Sequence, residues 1–306
     1  DPEYLVELIT RHRITTAHFV PSMLRIFLEE AGVEKLTSLR RIICSGEALS
    51  AELKNQFFKK LQSELHNLYG PTEAAVDVSF WACNNQSTSV PIGKPISNVK
   101  LYILNKYLEP VPTGSTGELY IGGIAPGRGY LNNPSLTADR FIPDPFSKTL
   151  GSRLYKTGDL ARYLPDGNIE FLGRIDHQIK IRGLRIELGE IEIVLSSHPS
   201  VKDTAVVVAE EQGQKRILAY LVPNTGHTIS SVELRNYCNE KLPRYMIPTN
   251  FVVIDAMPLS ANGKLDYKQL STIKPTKPKS IAEVLATIEK LSDEEVKKLL
   301  RSAKSM

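Results

Sequence analysis

The sequence has few cysteines, no long apolar run and no strong excess of charge. Its three cysteines, Cys44, Cys83 and Cys238, are far apart and form no Cys-x-x-Cys pair. This argues against a zinc site and fits a reducing cytoplasm. No apolar stretch reaches the length of a membrane span, and no signal peptide opens the chain. These features predict a cytoplasmic protein without membrane contact.

Charge is nearly balanced. The 306 residues hold 38 Lys/Arg and 34 Asp/Glu, a net charge of +4. Residues 271–306 carry most of that excess, so the rest of the chain has little net charge, which argues against a nucleic-acid-binding surface. The hydrophobic content of 42% and charged content of 24% are typical of an ordinary globular protein. The length is sufficient for two domains.

Residues 1–88 alternate predicted helices with predicted strands. Helices are expected over 2–12, from Met23 to Gly32 and over 49–61, and strands over 14–20, 39–44 and 64–68. This alternation predicts a parallel α/β sheet, in which ligands bind at the carboxyl ends of the strands. His18, Ser45 and residues 69–73 fall at those ends, so three strands should direct polar groups into one crevice.

The third of these strand ends carries Leu68-Tyr69-Gly70-Pro71-Thr72-Glu73. The Gly-Pro pair fixes a turn, with an aromatic ring before it and a hydroxyl and a carboxylate after it. A ring beside a base, a hydroxyl at a phosphate and a carboxylate on Mg²⁺ would together suit a nucleotide. The alternative is an ordinary strand-to-loop turn whose polar side chains are all hydrogen-bonded. The hexapeptide alone favours this alternative. The meeting of three strand ends favours the nucleotide site.

Residues 89–175 predict a small antiparallel barrel or sheet. Short strands are expected over 99–104, 117–121, 160–163 and 169–172, with a hairpin turn at 165–168. The segments 127–130 and 157–159 are expected between strands. Residues 113–117 are rich in glycine like a phosphate loop. No lysine follows them and a strand does, so a turn is expected there.

The remaining sequence predicts a compact α+β domain over 176–270, followed by a linker and two short amphipathic helices over 271–306. Its elements are helices over 187–196 and 231–241 and strands over 204–209, 217–222 and 251–254. A glycine turn near its end presents Lys264. Asp1-Pro2 begins a helix without a preceding Met, so we expect the chain to start inside a larger protein.

Eight motifs, in order, resemble those of the adenylation domain of a non-ribosomal peptide synthetase, within the acyl-adenylate-forming superfamily. They are Tyr69-Gly70-Pro71-Thr72-Glu73, Gly117-Glu118-Leu119-Tyr120-Ile121-Gly122-Gly123, Gly127-Arg128-Gly129-Tyr130-Leu131, Tyr155-Lys156-Thr157-Gly158-Asp159, Gly173-Arg174-Ile175-Asp176, Lys180-Ile181-Arg182-Gly183, Leu242-Pro243-Arg244-Tyr245-Met246-Ile247-Pro248 and Asn262-Gly263-Lys264-Leu265-Asp266. One such motif is weak support, whereas eight in order over residues 1–270 are very specific.

The resemblance implies an α/β multidomain fold: the C-terminal part of a large α/β plus β-barrel adenylating domain, followed by a small mobile α+β domain. It implies that ATP and Mg²⁺ activate an amino acid as an aminoacyl-adenylate. The aminoacyl group then passes to the phosphopantetheine thiol of a carrier domain, among neighbouring synthetase domains. The family's phosphate loop, and the Asp that holds the substrate amine, would precede residue 1.

The resemblance also assigns roles to residues. Lys264, Thr72 and Glu73 would be catalytic: Lys264 bridges the substrate carboxylate and the phosphate, Thr72 touches the α-phosphate and Glu73 holds Mg²⁺. Asp176 would be the hinge about which the small domain rotates. From the residues alone, the alternatives are a solvated surface lysine for Lys264 and a polar linker residue for Asp176.

Nucleotide binding by resemblance involves Asp159, which would accept the ribose hydroxyls with the assistance of Arg174. Tyr69 would lie beside adenine. The remaining positions of the predicted nucleotide site are Gly46, Glu47, Gly70 and Phe171.

Substrate choice is predicted from the positions that line the family's amino-acid pocket. Besides Lys264, these are His18, Ile43, Ser45, Leu68, Val76 and Asp77. Three polar groups among apolar walls suit a small hydroxylated side chain, since unpaired polar groups would penalise alanine. The set resembles the family's serine-selecting pattern, with threonine as the runner-up.

Two other functions remain open at this point. An acyl-CoA or aryl-CoA ligase of the same superfamily is one, although Leu136-Thr137-Ala138-Asp139-Arg140-Phe141 and the polar pocket favour the peptide-synthetase branch. The other is a catalytically incomplete fragment that acts as an interaction module. ATP binding by the chain itself would separate this second alternative from an enzyme.

Overall fold

A computed structural model describes residues 1–175, 178–211, 214–259, 265–270 and 272–273. The chain divides into two compact units, Asp1–Gly189 and Glu190–Met306. This division falls later in the chain than the predicted start of the small domain at residue 176. The predicted hinge Asp176, the predicted catalytic Lys264 and the predicted helical tail all lie outside the described residues.

The first unit begins with three helices that alternate with three parallel strands. The order is α1 (Pro2–His12), β1 (Thr16–Phe19), α2 (Pro21–Glu29), β2 (Arg41–Cys44), α3 (Ala51–Lys60) and β3 (Glu64–Tyr69). β1 pairs parallel with β2, and β2 with β3, which confirms the predicted parallel α/β sheet. Two further strands, β4 (Ser79–Ala82) and β5 (Lys94–Pro95), extend the sheet antiparallel. Both are too short for their periodicity to reveal them in the sequence.

Local capping explains where the helices of this layer begin. The Asp1 side chain accepts a hydrogen bond from the amide of Glu3, and Pro2 occupies the first turn of α1, where its missing N–H costs nothing. Ser50 caps α3 by accepting from the amide of Leu53. Each cap satisfies a backbone donor that the helix itself leaves without a partner.

The register of the sheet sorts its side chains onto two faces. Ile42 and Leu65 lie in the core that α1, α2 and α3 also enter. His18 pairs with Ile43, and Ile43 pairs with His66, which lies two residues before Leu68. Because side chains alternate along a strand, His18, Ile43 and Leu68 share the opposite face. Three residues of the predicted pocket are therefore brought to one face.

An antiparallel sheet follows, as predicted. Its elements are β6 (Val99–Leu104), β7 (Gly117–Gly123), α4 (Pro134–Arg140), β8 (Phe141–Pro143), β9 (Arg153–Tyr163) and β10 (Ile169–Arg174). The strand order is β10-β9-β7-β6, with β8 also paired to β9. β7 starts at Gly117, so residues 113–117 form the expected turn that leads into a strand.

One prediction for this sheet is wrong. Residues 157–159 do not lie between strands but inside β9, which starts at Arg153. A register shift against β7 interrupts the strand, and Gly158 there has φ of 75°. The irregularity breaks the alternating pattern on which a strand prediction depends.

The first unit ends with a small hairpin, β11 (Ile179–Ile181) and β12 (Leu184–Ile186), which we call the 179–186 hairpin. Helix α5 (Leu188–Ser196) follows it.

The second unit, taken by itself, contains a three-stranded sheet. Its elements are β13 (Val201–Glu211), β14 (Gln214–Pro223), α6 (Ser231–Lys241), β15 (Asn250–Val253) and α7 (Tyr267–Leu270). β13 and β14 are antiparallel, whereas β15 joins β14 in parallel. Ala205, Tyr220 and Val252 form part of its core. The predicted α+β character of this region is confirmed.

No helix within the described ranges combines the length and the apolarity that crossing a bilayer requires.

Candidate active site

The first cluster of the site is built around the carboxylate of Asp159. Tyr69, at the end of β3, donates its hydroxyl hydrogen to one carboxylate oxygen. Arg174, at the end of β10, donates from Nη1 to the other oxygen over 2.6 Å. Asp159 is almost fully buried. Two strands from different sheets therefore converge on one carboxylate.

The charges of this cluster follow from its burial. Burial raises the pKa of Asp159, and the positive charge of Arg174 acts in the opposite direction. Burial, followed by the neighbouring carboxylate, raises the pKa of Tyr69 well above its usual value. Tyr69 therefore remains a neutral hydrogen-bond donor over the whole physiological range.

The turn after Tyr69 is closely packed. A Cβ atom on Gly70 would lie 2.1 Å from the carbonyl oxygen of Val76, so only glycine fits there. The ring of Phe171 lies beside that of Tyr69, with centroids 6.4 Å apart. The structure thus groups Tyr69, Gly70, Phe171, Asp159 and Arg174, all of which were predicted for the nucleotide site.

The second cluster is built around Glu73, in a short 3₁₀ turn over Thr72–Ala74. Arg185 donates from Nη1 to both carboxylate oxygens of Glu73, each over 2.8 Å. The hydroxyl of Tyr130 donates to Oε1, also over 2.8 Å. Burial opposes ionisation, but the Tyr130 hydrogen bond and the Arg185 charge outweigh it, and the pKa of Glu73 is lowered. Thr72, which precedes Glu73 in the chain, is exposed.

The third cluster contains the polar residues of the predicted pocket. The Nε2 atom of His18 and the hydroxyl oxygen of Ser45 are 2.8 Å apart, within hydrogen-bond distance. Burial raises the pKa of Asp77, against the opposing influence of His18. Val76, which was predicted as a pocket wall, is 63% exposed. Its φ of 78° is strained for a β-branched residue.

Gly46 and Glu47, which follow β2, were also predicted for the nucleotide site. In the structure, Glu47 accepts the amide of Ser22 at Oε2 over 2.9 Å. Its Oε1 atom accepts the amide of Gly183 over 3.0 Å. Glu47 therefore joins the first turn of α2 to the 179–186 hairpin.

Tyr130 and Arg185 contact the predicted catalytic residue Glu73 but were not predicted as site residues. Tyr130 belongs to a motif that was recognised without a role. Arg185 pairs with Lys180 across the 179–186 hairpin. The sequence signal that could have found it is its position two residues after the recognised motif 180–183. The contact with Glu73, 112 residues away, is visible only in the fold.

Within the described residues, no three His, Cys, Asp or Glu side chains converge as a metal cage would require. Magnesium does not need such a cage, because it is commonly bound by one or two carboxylates together with substrate phosphates and water. Glu73 is such a carboxylate: its pKa is lowered and both of its oxygens accept contacts from a cation. The residues present therefore fit a magnesium ion that arrives with nucleotide phosphates.

Comparison with known proteins shows the family of this chain. The model of the AMP-binding enzyme family matches residues 1–131, and that of the AMP-binding enzyme C-terminal domain matches residues 190–264. The chain is 46% identical over 273 residues to tyrocidine synthase 3 of Brevibacillus parabrevis. That match covers 88% of this chain and 4% of the relative, so the chain spans a small part of that protein.

Solved structures similar to this chain include adenylation domains. The chain resembles holo-PA1221, described as an NRPS protein containing adenylation and PCP domains, with a TM-score of 0.78 and 28% identity over 88% of this chain and 46% of that one. It resembles the adenylation domain AlmE of Vibrio cholerae in complex with glycyl-adenosine-5'-phosphate, with a TM-score of 0.77 and 29% identity over 87% and 51% of the two chains. This chain belongs to the AMP-binding enzyme family, as part of an adenylation domain of the non-ribosomal peptide synthetase type.

Proposed function

We propose that this chain forms the nucleotide-side and amino-acid-side walls of a site that activates L-serine with ATP. The product would be seryl-adenylate, with release of pyrophosphate. One observation carries the proposal: the segment Tyr69–Glu73 donates to Asp159 at one end and presents the Glu73 carboxylate at the other. A ribose acceptor held at one end of this turn, together with a metal ligand at its other end, suits a nucleoside triphosphate.

The reaction accumulates negative charge on an amino-acid carboxylate and on the α-phosphate. Asp159 would orient the nucleotide by accepting its ribose hydroxyls, while Thr72 would donate to the α-phosphate. Glu73 would hold Mg²⁺, which supplies charge neutralisation at the phosphates when bound. Lys264 would bridge the substrate carboxylate and the phosphate. These roles are proposals, and that of Lys264 rests on its motif alone.

The choice of serine is supported by the hydrogen-bonded pair of His18 and Ser45 beside Asp77. A serine hydroxyl could join this pair as donor or acceptor. Alanine would bring no polar partner and would displace water from it, which is costly at a buried polar site. Threonine is the runner-up, because its additional methyl group would need room near Ile43 and Leu68.

The acceptor of the activated amino acid would be a phosphopantetheine thiol on a carrier domain. Holo-PA1221 contains adenylation and PCP domains in one protein, and we extend that partnership to this chain by family membership. Asp176 would be the hinge about which the small domain rotates between the two half-reactions. We place the reaction in the cytoplasm, because the three cysteines are free thiols.

The test is ATP–pyrophosphate exchange by the synthetase that contains this sequence, with a panel of amino acids and aryl acids. Serine should give the highest exchange, followed by threonine. Highest exchange with alanine or an aromatic amino acid would contradict the serine assignment. Exchange with aryl acids alone would favour the acid–CoA ligase alternative. If the chain does not bind ATP, the alternative of a catalytically incomplete interaction module would be favoured.

A further inference from the structure

The carboxylate of Glu73, which we assign to Mg²⁺, is already paired with a cation of this chain. The Nη1 atom of Arg185 lies 2.8 Å from Oε1 and 2.8 Å from Oε2, so it bridges both oxygens. Only 10% of the Glu73 side chain is exposed, compared with 32% of Arg185. The guanidinium therefore covers the open side of a carboxylate that is otherwise enclosed by protein.

Arg185 reaches Glu73 because the 179–186 hairpin is attached at a second point. The amide of Gly183, in the turn of the hairpin, donates to Glu47. Gly183 has φ of 76°, and a Cβ atom there would lie 2.7 Å from Cγ1 of Val20, so this close approach requires glycine. The hairpin is thus held by two carboxylates, Glu47 and Glu73, which follow two neighbouring strands of the parallel sheet.

A guanidinium and a magnesium ion cannot both occupy this position. Magnesium requires its oxygen ligands at about 2.0–2.1 Å and in near-octahedral geometry. The Arg185 nitrogen bridges the two oxygens to which the ion would bind, and two adjacent cations would also repel each other.

We propose that Arg185 and Mg²⁺ are alternative partners of Glu73, so that seating of the 179–186 hairpin and loading of the metal exclude one another. This inference rests on the proposed function, which assigns Mg²⁺ to Glu73. Arg185 is then a positioning residue: it neutralises Glu73 when the metal is absent and holds the hairpin over the strand ends. Arrival of nucleotide with its metal releases the hairpin, and departure of the metal lets it return.

The first experiment measures metal affinity directly. Binding of Mn²⁺, as a paramagnetic substitute for Mg²⁺, is followed by electron paramagnetic resonance in the presence of ATP. Arg185→Ala removes the competing cation and should tighten Mn²⁺ binding by about tenfold. Arg182→Ala removes an exposed positive charge from the same hairpin and should leave the affinity within about twofold of the wild-type value.

The second experiment follows the hairpin itself by amide hydrogen exchange. Mg²⁺ with ATP should accelerate exchange at Gly183 in the wild-type chain, because the hydrogen bond to Glu47 is released, whereas ATP with chelator should not. In Arg185→Ala, exchange at Gly183 should already be faster without the metal. Glu47→Gln keeps the shape of the side chain but weakens its hydrogen bond with the Gly183 amide. It is a second variant that loosens the turn of the hairpin and leaves the contact between Arg185 and Glu73 in place.

The outcomes separate the two proposals. Equal Mn²⁺ affinity in the wild type and Arg185→Ala, with binding lost in Glu73→Gln, would overturn the exclusion and leave Glu73 as the metal ligand. Unchanged Mn²⁺ binding in Glu73→Gln, or no binding by any of the proteins, would overturn the assignment of the metal and the exclusion with it. Unchanged exchange at Gly183 on addition of Mg²⁺ with ATP would overturn the release of the hairpin.

Discussion

The hydroxyl of Tyr69 donates a hydrogen bond to the carboxylate of Asp159, 90 residues further along the chain. Tyr69 ends β3 of the parallel sheet, whereas Asp159 lies in β9 of the antiparallel sheet. The bond therefore links the two layers of the first unit at the proposed nucleotide site. It also orients the acceptor that we assign to the ribose.

Replacing Tyr69 by Phe should destabilise the first unit, because the buried Asp159 loses the hydrogen bond that Tyr69 donates. The expected loss in the free energy of unfolding is about 1.5–3 kcal/mol, the range for hydrogen bonds to charged groups. Trp81 is the single tryptophan and lies in β4, so its fluorescence in urea reports on this unit. The control is Tyr163→Phe, which removes a hydrogen bond to the uncharged carbonyl of Leu101. Equal losses in the two variants would contradict a special role for the bond to Asp159.

Gly70→Ala should be far more damaging than an ordinary glycine substitution. The new methyl group would lie 2.1 Å from the Val76 carbonyl oxygen, and backbone must move to accept it. We expect a loss of at least about 3 kcal/mol, or failure to fold. Gly189→Ala is the control: a Cβ atom there meets no atom within 4 Å, and the residue lies in α5. That variant should be unchanged or more stable by up to about 1 kcal/mol.

Val76→Gly should stabilise the first unit. The φ of 78° at Val76 costs a non-glycine residue about 1–2 kcal/mol, and the residue is 63% exposed, so little packing is lost when the side chain is removed. A gain of about 1 kcal/mol in urea unfolding is expected after allowance for the greater freedom of the unfolded glycine. A loss of stability would show that Val76 makes contacts that outweigh its strain.

Ser45→Ala tests the proposed pocket. It removes the partner of His18 and should lower the preference for serine over alanine by about tenfold, equivalent to about one hydrogen bond. The selectivity is measured as the ratio of exchange rates with the two amino acids. Ser97, which is exposed in the same unit, supplies the control variant Ser97→Ala. An unchanged ratio in Ser45→Ala would show that this pair does not read the substrate.

The cysteines should be unreactive in the folded protein. Burial raises the pKa of Cys44 and of Cys83 to about 12, so at pH 8 only about one thiol in ten thousand is ionised at either position. A thiol reagent should therefore label them slowly until guanidinium unfolds the chain. Because an unfolded thiol ionises near pH 8.5, these two residues favour the folded state below that pH, and the contribution is lost as the pH rises towards 12. Labelling of either cysteine in the native protein at the unfolded rate would contradict this.

The elements that were predicted correctly are those with a signal in neighbouring residues, such as a helix cap or a periodic apolar pattern. The start of α1 follows from Asp1 and Pro2, and the alternation of predicted helices and strands led directly to the parallel sheet. The bulge at Gly158 could not be predicted, because it interrupts the period of two that identifies a strand. The contact of Arg185 with Glu73 spans 112 residues, and no local pattern fixes a distance between them. Asp176 and Lys264 remain predictions.

We propose above all that the side chains around Tyr69, Asp159 and Ser45 bind an activated serine. The most direct measurement is calorimetric titration of the chain with a non-reactive sulfamate analogue of seryl-adenylate, with the alanyl and phenylalanyl analogues alongside. The seryl analogue should bind about tenfold or more tightly than the alanyl analogue, and the phenylalanyl analogue should bind most weakly. Equal or tighter binding of the alanyl or phenylalanyl analogue, or no binding of any of the three, would contradict the account.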